Sequence, residues 1–181
     1  MPRIPYVDLA GTSEELRDAL AGMPPLNLFR MLPYAGRVAP AFLRMGGMIL
    51  NRTVLDPKLR ELAILRVGAL TGSDYEIHHH RRIGGQVGLA KAQIDAAATA
   101  GADSPTLDAS QRLVLALTEA VIGQVKAPDA LFDQALEALG PEALAELVLT
   151  IGYYRMVAGF LLNFGVEVES QPFSQSIVAE R

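Results

Sequence analysis

The sequence predicts an all-α fold of about seven or eight helices, and three observations carry the prediction. No stretch alternates apolar and polar residues over strand length with hairpin signals beside it. Apolar residues recur instead at three- and four-residue spacing, in runs rich in alanine and leucine. Prolines, glycines and capping residues then cut those runs into helix-sized pieces. Half of the 181 residues are apolar and a fifth are charged, which suits a single globular domain with a substantial core.

The elements follow in order. Residues 1–11 are irregular and proline-bearing, the pattern of an arm that packs on a neighbouring surface. "TSEELRDALAG" predicts a short helix with Thr12 or Ser13 as its cap and Glu15 reaching back to it. Pro33 and Pro40 divide "LFRMLPYAGRVAPAFLRMGGMIL" into short helices. Asp56 and Pro57 open the next helix as cap and first-turn proline, and Gly72 ends it. "SDYEIHHHRRIGGQVG" starts another, and "AKAQIDAAATAG" is a short amphipathic helix ending at Gly101. A long helix follows with Thr106 or Asp108 near its start, then "APDALFDQALEALG", then an apolar helix opened by Pro141. The tail from Val166 onward reads as partly ordered at most.

Composition excludes several function classes. The chain has no cysteine, so disulfides, thiolate metal sites and thiol redox chemistry are ruled out. A net charge of −4 gives no general attraction to nucleic acid. The run Leu147–Val166 approaches the length of a membrane span, but Arg155 sits in its middle and no basic clusters flank it. It reads as a helix buried in a core or a subunit interface. No signal-peptide core is visible, which makes a cytoplasmic protein the expectation.

The candidate site lies between residues 61 and 80. "ELAILRVGAL" is apolar on nearly every side, and Glu61 shares a face with Ile64, Leu65 and Gly68. A carboxylate there must be paired, hydrogen-bonded or protonated, and desolvation would raise its pKa into the range useful for proton transfer. The bland alternative is a first-turn Glu61 still solvated, or paired with Arg60 or a lysine. Ser73 and Glu76 form the S-x-x-E pattern of a capping box, a sufficient structural reason for both. His80 stands one turn past Glu76 on the same face, while His78 and His79 point elsewhere. Glu61, Glu76 and His80, with His79 as an addition, would also be acceptable metal ligands. The E-x-x-x-H spacing is common by chance, however, and no H-E-x-x-H is present, so no metal is expected. Arg81 and Arg82 face solvent or pair with acids. Tyr75, Tyr153, Tyr154 and Arg155 are candidates to line a pocket for a small anion, although such tyrosines are more often core. Arg155, inside an apolar run, should have a buried acidic partner or a ligand carboxylate.

Two segments carry a resemblance. "LDPKLRELAILRVGALTGSDYEIHHHRRIGGQVGLAKAQIDA" resembles the core of the carboxymuconolactone decarboxylase family, which includes the AhpD-like alkylhydroperoxidases. "ELVLTIGYYRMVAGFLLNFGVEVE" resembles the family's closing helix, and together they cover most of residues 40–169. The resemblance implies an all-helical, homo-oligomeric protein, a trimer or hexamer. It also implies a family domain at 41–169, behind an arm and short helices at 1–40 that pack on it, with a tail at 170–181. The active site of AhpD-type members is a glutamate, a C-x-x-C pair and a histidine, and these fall here on Glu61, Ser73 with Glu76, and His80. Serine and glutamate cannot run a thiol peroxidase cycle. The family's decarboxylases rely on proton transfer, and their substrate does not carry over.

The expectation is therefore a cofactor-independent acid–base enzyme, of decarboxylase, lyase or isomerase type, acting on a small organic acid or lactone. His80 would be the general acid or base, Glu76 its partner and Glu61 a second acid. Tyr75, Ser73 and Arg155 would contact the substrate, Tyr75 by a hydrogen bond to an oxyanion. The expected partners are the substrate and further copies of the chain, with no nucleic acid and no membrane. The alternatives are a non-catalytic helical oligomer that binds a small molecule, and a metal-dependent enzyme using the same three residues.

Overall fold

The computed structural model describes residues 1–170. Eight α-helices and three short 3-10 turns make up the regular structure, with no strand among the described residues. The chain divides into two compact units. Residues 53–159 form one, and residues 1–52 with the described residues from 160 onward form the other.

The terminal unit begins with an arm tied down by backbone hydrogen bonds, Arg3 N–H to the Phe164 carbonyl and Val7 N–H to the Arg30 carbonyl, each at 2.9 Å. Helix α1 (Glu14–Leu20) is capped by Ser13, whose hydroxyl accepts from the Leu16 N–H. With Ser13 as cap, Glu15 falls one position short of where it could reach back. It pairs instead with Arg44 at 3.6 Å. Helices α2 (Asn27–Met31) and α3 (Ala39–Asn51) are separated by a 3-10 stretch at Leu32–Val38. Pro33 lies in that stretch and Pro40 in the first turn of α3, so both fall where a missing N–H costs least.

Helix α4 (Pro57–Thr71) organises the other unit. Asp56 caps it by accepting from the N–H groups of Lys58 and Leu59, and Gly72 ends it in the left-handed region at φ 71°. Helix α5 (Asp74–Gln86) therefore begins two residues later and returns alongside α4. Helices α6 (Lys91–Ala98) and α7 (Ala109–Gln124) also pack on α4. Leu62, Leu65, Ile94, Ala97, Leu107 and Leu115 are core residues at their junction. Helix α6 stops three residues before the expected Gly101, which opens a 3-10 turn. Asp108, not Thr106, caps α7, in a reciprocal box with Gln111.

Helix α8 (Asp129–Phe164) contains a break at Gly140, φ 76° and ψ 166°, immediately before Pro141. The two helices expected there thus meet at a glycine that leaves helical geometry and a proline that restarts it. The apolar run Leu147–Val166 buries one side only. Leu147, Ile151, Tyr154 and Ala158 are buried, but Val148, Leu149 and Met156 are exposed. By length and composition α8 is apolar enough to cross a membrane, and 44% of its most apolar window is buried. The tail expected at 170–181 lies, beyond Ser170, outside the described residues.

A buried Glu–His–Glu row between two antiparallel helices

The Gly72 turn sets α4 and α5 antiparallel, which brings Glu61 near the start of α4 opposite His80 in the middle of α5. Farther along, the helices touch at Gly68, where an added Cβ would lie 3.1 Å from Ile77 Cγ1 and 3.3 Å from Glu76 Cβ. A larger residue at 68 would push Glu76 away from α4. Ser73, Glu76 and His80 follow at intervals of three and four residues, one face of the helix.

Glu61 is wholly buried, with both carboxylate oxygens engaged. Arg60 Nε–H donates to Oε1 at 3.0 Å, and His80 Nδ1 lies 2.6 Å from Oε2. Arg60 is only 1% exposed, so this ion pair sits in the core. The solvated first-turn alternative for Glu61 is thereby excluded, while its pairing with Arg60 holds. On the other side of the ring, His80 Nε2 approaches Glu76 Oε2 at 3.4 Å, within ion-pair reach but without hydrogen-bond geometry. The imidazole is held between two carboxylates, tightly by Glu61 and loosely by Glu76. The edge of Tyr154, from α8, meets the His80 ring at right angles, 4.9 Å between centroids.

Burial dominates the electrostatics of Glu76 and pushes its carboxyl up to about 7, with Glu61 adding to the rise and His80 opposing it. For His80, burial works to lower the pKa. The charge of Glu61, its hydrogen bond and the charge of Glu76 outweigh that against a smaller opposition from Arg60, and the net direction is upward. Burial, with the neighbouring carboxylates, holds the Tyr154 phenol protonated. The row thus sets an imidazole whose cationic form is favoured beside a carboxyl poised between its two forms near neutral pH. Such a pair titrates as a unit. It can give or take a proton at physiological pH.

The capping-box reading of Ser73 and Glu76 is not what the structure has. Ser73 occupies the cap position, but its hydroxyl makes no cap hydrogen bond. Its ψ of 88° differs from the 149° of Ser13, which does cap α1. The Ser73 N–H already donates to the Gly68 carbonyl at 2.9 Å, so Glu76 has no donor to reach back for and turns along the helix to His80. The Ser73 hydroxyl is buried without a hydrogen-bond partner, as are Glu76 Oε2 and Arg60 Nη2.

The remaining candidates separate from this row. Tyr75 is buried one residue off it and packs on the His79 ring, 4.5 Å between centroids. His79 is buried with Tyr75, and His78 is exposed with an edge contact to His79. Arg81 pairs with Asp95, as expected for an arginine on this helix. Arg155 lies on the exposed side of α8 and donates to the Ile122 carbonyl at 3.5 Å, with no acidic partner among the described residues. The expected buried acid for Arg155 is overturned because the apolar run around it is buried on one side only. Among the described residues no group of three or more His, Asp or Glu is arranged to hold a metal ion. Tyr154 has a larger part than its sequence context suggests, and Arg60 is the residue whose importance was least visible. A charged R-E pair inside a helix apolar all round was the available signal.

Comparisons with known proteins come from two directions. Residues 37–120 match the carboxymuconolactone decarboxylase family. No curated protein matches the sequence. Among solved structures, an uncharacterized peroxidase-related protein with an alkylhydroperoxidase AhpD core, from Ralstonia eutropha JMP134, is similar with a TM-score of 0.79 at 18% identity, covering 93% of each chain. A protein of unknown function from Agrobacterium tumefaciens, described as an AhpD-type antioxidant defence protein, is similar with a TM-score of 0.69 at 18% identity, covering 75% of this chain and 92% of its own. At such identity the likeness is one of fold.

Proposed function

We propose, for a chain whose residues 37–120 belong to the carboxymuconolactone decarboxylase family, a cofactor-independent acid–base enzyme acting on a small organic acid or lactone. The observation that carries the reading is His80 held between two buried carboxylates, Glu61 at 2.6 Å and Glu76 at 3.4 Å. Glu61, with both oxygens engaged, fixes the ring and favours its cationic form. Glu76 and the Nε2 side of His80 are then the groups available to exchange a proton with a bound substrate. In a decarboxylation the C–CO2 bond breaks, its electron pair passes into the adjacent π-system, and Glu76 or His80 returns a proton to the resulting carbanion or enolate. An isomerisation would use the same pair, removing the proton at one carbon and delivering it to another. Thiol peroxidase chemistry is not available to a chain without cysteine.

The reading includes a homo-oligomer, a trimer or hexamer, for which the exposed Val148, Leu149 and Met156 of α8 offer apolar surface to bury. It also takes the protein as cytoplasmic, with neither nucleic acid nor membrane as partner.

The test is a panel of lactone acids and unsaturated or keto acids incubated with the protein in deuterated water, with CO2 release and deuterium incorporation followed. Wild-type protein should exchange or decarboxylate at least one of them. His80→Ala should lose that activity while keeping its helical circular dichroism. Full activity in His80→Ala removes His80 from the mechanism. Ligand-induced thermal stabilisation without product anywhere in the panel would make the protein a binder and not an enzyme.

A further inference from the structure

We propose that the row at the head of α5 binds a carboxylate-bearing ligand as its anion and takes up one proton in doing so, with Glu76 as the receiving group. The inference rests on the acid–base reading for the location of the site and adds its ligand class and its proton coupling. It is carried by the charge inventory and by the polar atoms left over.

Among the described residues, the charged and titratable groups coupled to the row come from three helices. Helix α5 contributes Glu76 and His80, α4 contributes Arg60 and Glu61, and α8 contributes the phenols of Tyr153 and Tyr154. Arg60 and Glu61 cancel each other, and the phenols are neutral. The balance is left to His80 and Glu76. With His80 cationic and Glu76 ionised the row sums to zero, and an arriving anion meets the Glu76 carboxylate as a like charge. With Glu76 protonated the row carries one uncompensated positive charge, and a buried uncompensated charge attracts a counter-ion strongly.

The leftover atoms point the same way. A Ser73 hydroxyl and an Arg60 Nη2, each buried and without partner, are donors in need of an acceptor. Glu76 Oε2 is likewise buried and without a hydrogen bond, with His80 Nε2 at ion-pair distance, 3.4 Å. In its ionised form it would be a further acceptor facing the ligand's oxygens. Once protonated it becomes a donor. Ser73 and Glu76 stand one turn apart on one face, so a carboxylate between them could accept from both hydroxyls. A neutral ligand such as an amide has no charge to compensate and gives Glu76 no reason to gain a proton.

Titration calorimetry with benzoate, in buffers of different ionisation heat, tests the proposal. At about pH 8 wild-type protein should take up close to one proton per bound benzoate, and affinity should fall about tenfold per pH unit above neutrality. Benzamide should bind without uptake and without pH dependence. Glu76→Gln should keep benzoate binding but lose most of the uptake and flatten the pH profile, and Ser73→Ala should weaken binding with uptake unchanged. Absence of benzoate binding at about pH 6, absence of uptake by wild-type protein, or full uptake in Glu76→Gln would each overturn the proposal. None of these readouts needs turnover. Proton uptake without conversion of any acid would refute the acid–base enzyme and leave this proposal standing, and turnover with no uptake would do the reverse.

Discussion

Helix α4 and the second half of α8 both carry long apolar runs, and α8 is the more apolar of the two, yet α4 is the one more fully covered. In α4, Leu62, Ala63, Ile64, Leu65 and Val67 are at 0% exposure, because α5, α6 and α7 cover the helix. In α8, Leu147, Ile151 and Ala158 are buried, while Leu149 is 57% and Met156 50% exposed. The charges differ in the same way. Arg60 and Glu61 are admitted to the interior of α4 as an ion pair, whereas Arg155 in α8 stays on the exposed side. An apolar surround shows that a helix is fit for burial on every side, but the rest of the chain decides how many sides it covers. The covered helix holds the charged row, where low polarity makes each interaction strong.

Substitutions on the two helices should bring the contrast out, the largest effects falling on α4. Glu61→Ala leaves Arg60 and His80 buried without their shared carboxylate, and denaturant unfolding should show a loss of about 3–5 kcal/mol. Arg155→Ala on α8 should change stability by less than about 0.5 kcal/mol.

Next in size is a pH effect confined to the row. The Glu76 carboxyl rises from 4.5 to about 7 in the folded protein. Below the lower value both folded and unfolded chains carry the proton and stability is full. As pH climbs through the window the unfolded chain releases its proton first, so stability falls, by about 3 kcal/mol in order of magnitude. His80, raised above 6.5, acts in the same direction, its contribution present below that value and lost as pH rises through the folded one. Urea midpoints measured across this range should fall with pH in wild-type protein. They should fall much less between 4.5 and 7 in Glu76→Gln.

Gly68→Val introduces atoms where even a Cβ would stand 3.1 Å from Ile77. It should cost about 1–3 kcal/mol and weaken the coupling between Glu61 on α4 and His80 on α5, visible as a shifted His80 titration by NMR. The smallest effect on the isolated chain is expected for Leu149→Lys, within about 0.5 kcal/mol. The same change should reduce the mass measured by light scattering if this face is buried between copies. An unchanged oligomer would remove it from the interface.

The caps at Asp56 and Gly72 and the break before Pro141 were legible because each depends on local backbone chemistry that a few residues specify. Residues 61, 76 and 80 were legible as candidates for two reasons. Helical spacing puts Glu76 and His80 on one face, and a carboxylate in an apolar helix needs an explanation. What spacing could not supply was the occupant of each hydrogen bond. Ser73 and Glu76 have the letters of a capping box, but the Gly68 carbonyl already holds the Ser73 N–H, because the bond that closes α4 around Gly72 claims the donor the box would need. Arg60 was visible only as a possible partner of Glu61, since an arginine beside a glutamate is usually a solvated pair. Arg155 lacks the buried acid that its apolar context suggests for the reason that separates the two helices, the exposed side of α8.

The left-handed Gly72 has a consequence for how the protein is made. By reversing the chain between α4 and α5 it keeps Glu61 and His80 only nineteen residues apart in sequence. Contacts of such short range close at little entropic cost and tend to form early. The charged row is thus built within one local hairpin, to which α8 adds Tyr154 from farther along the chain.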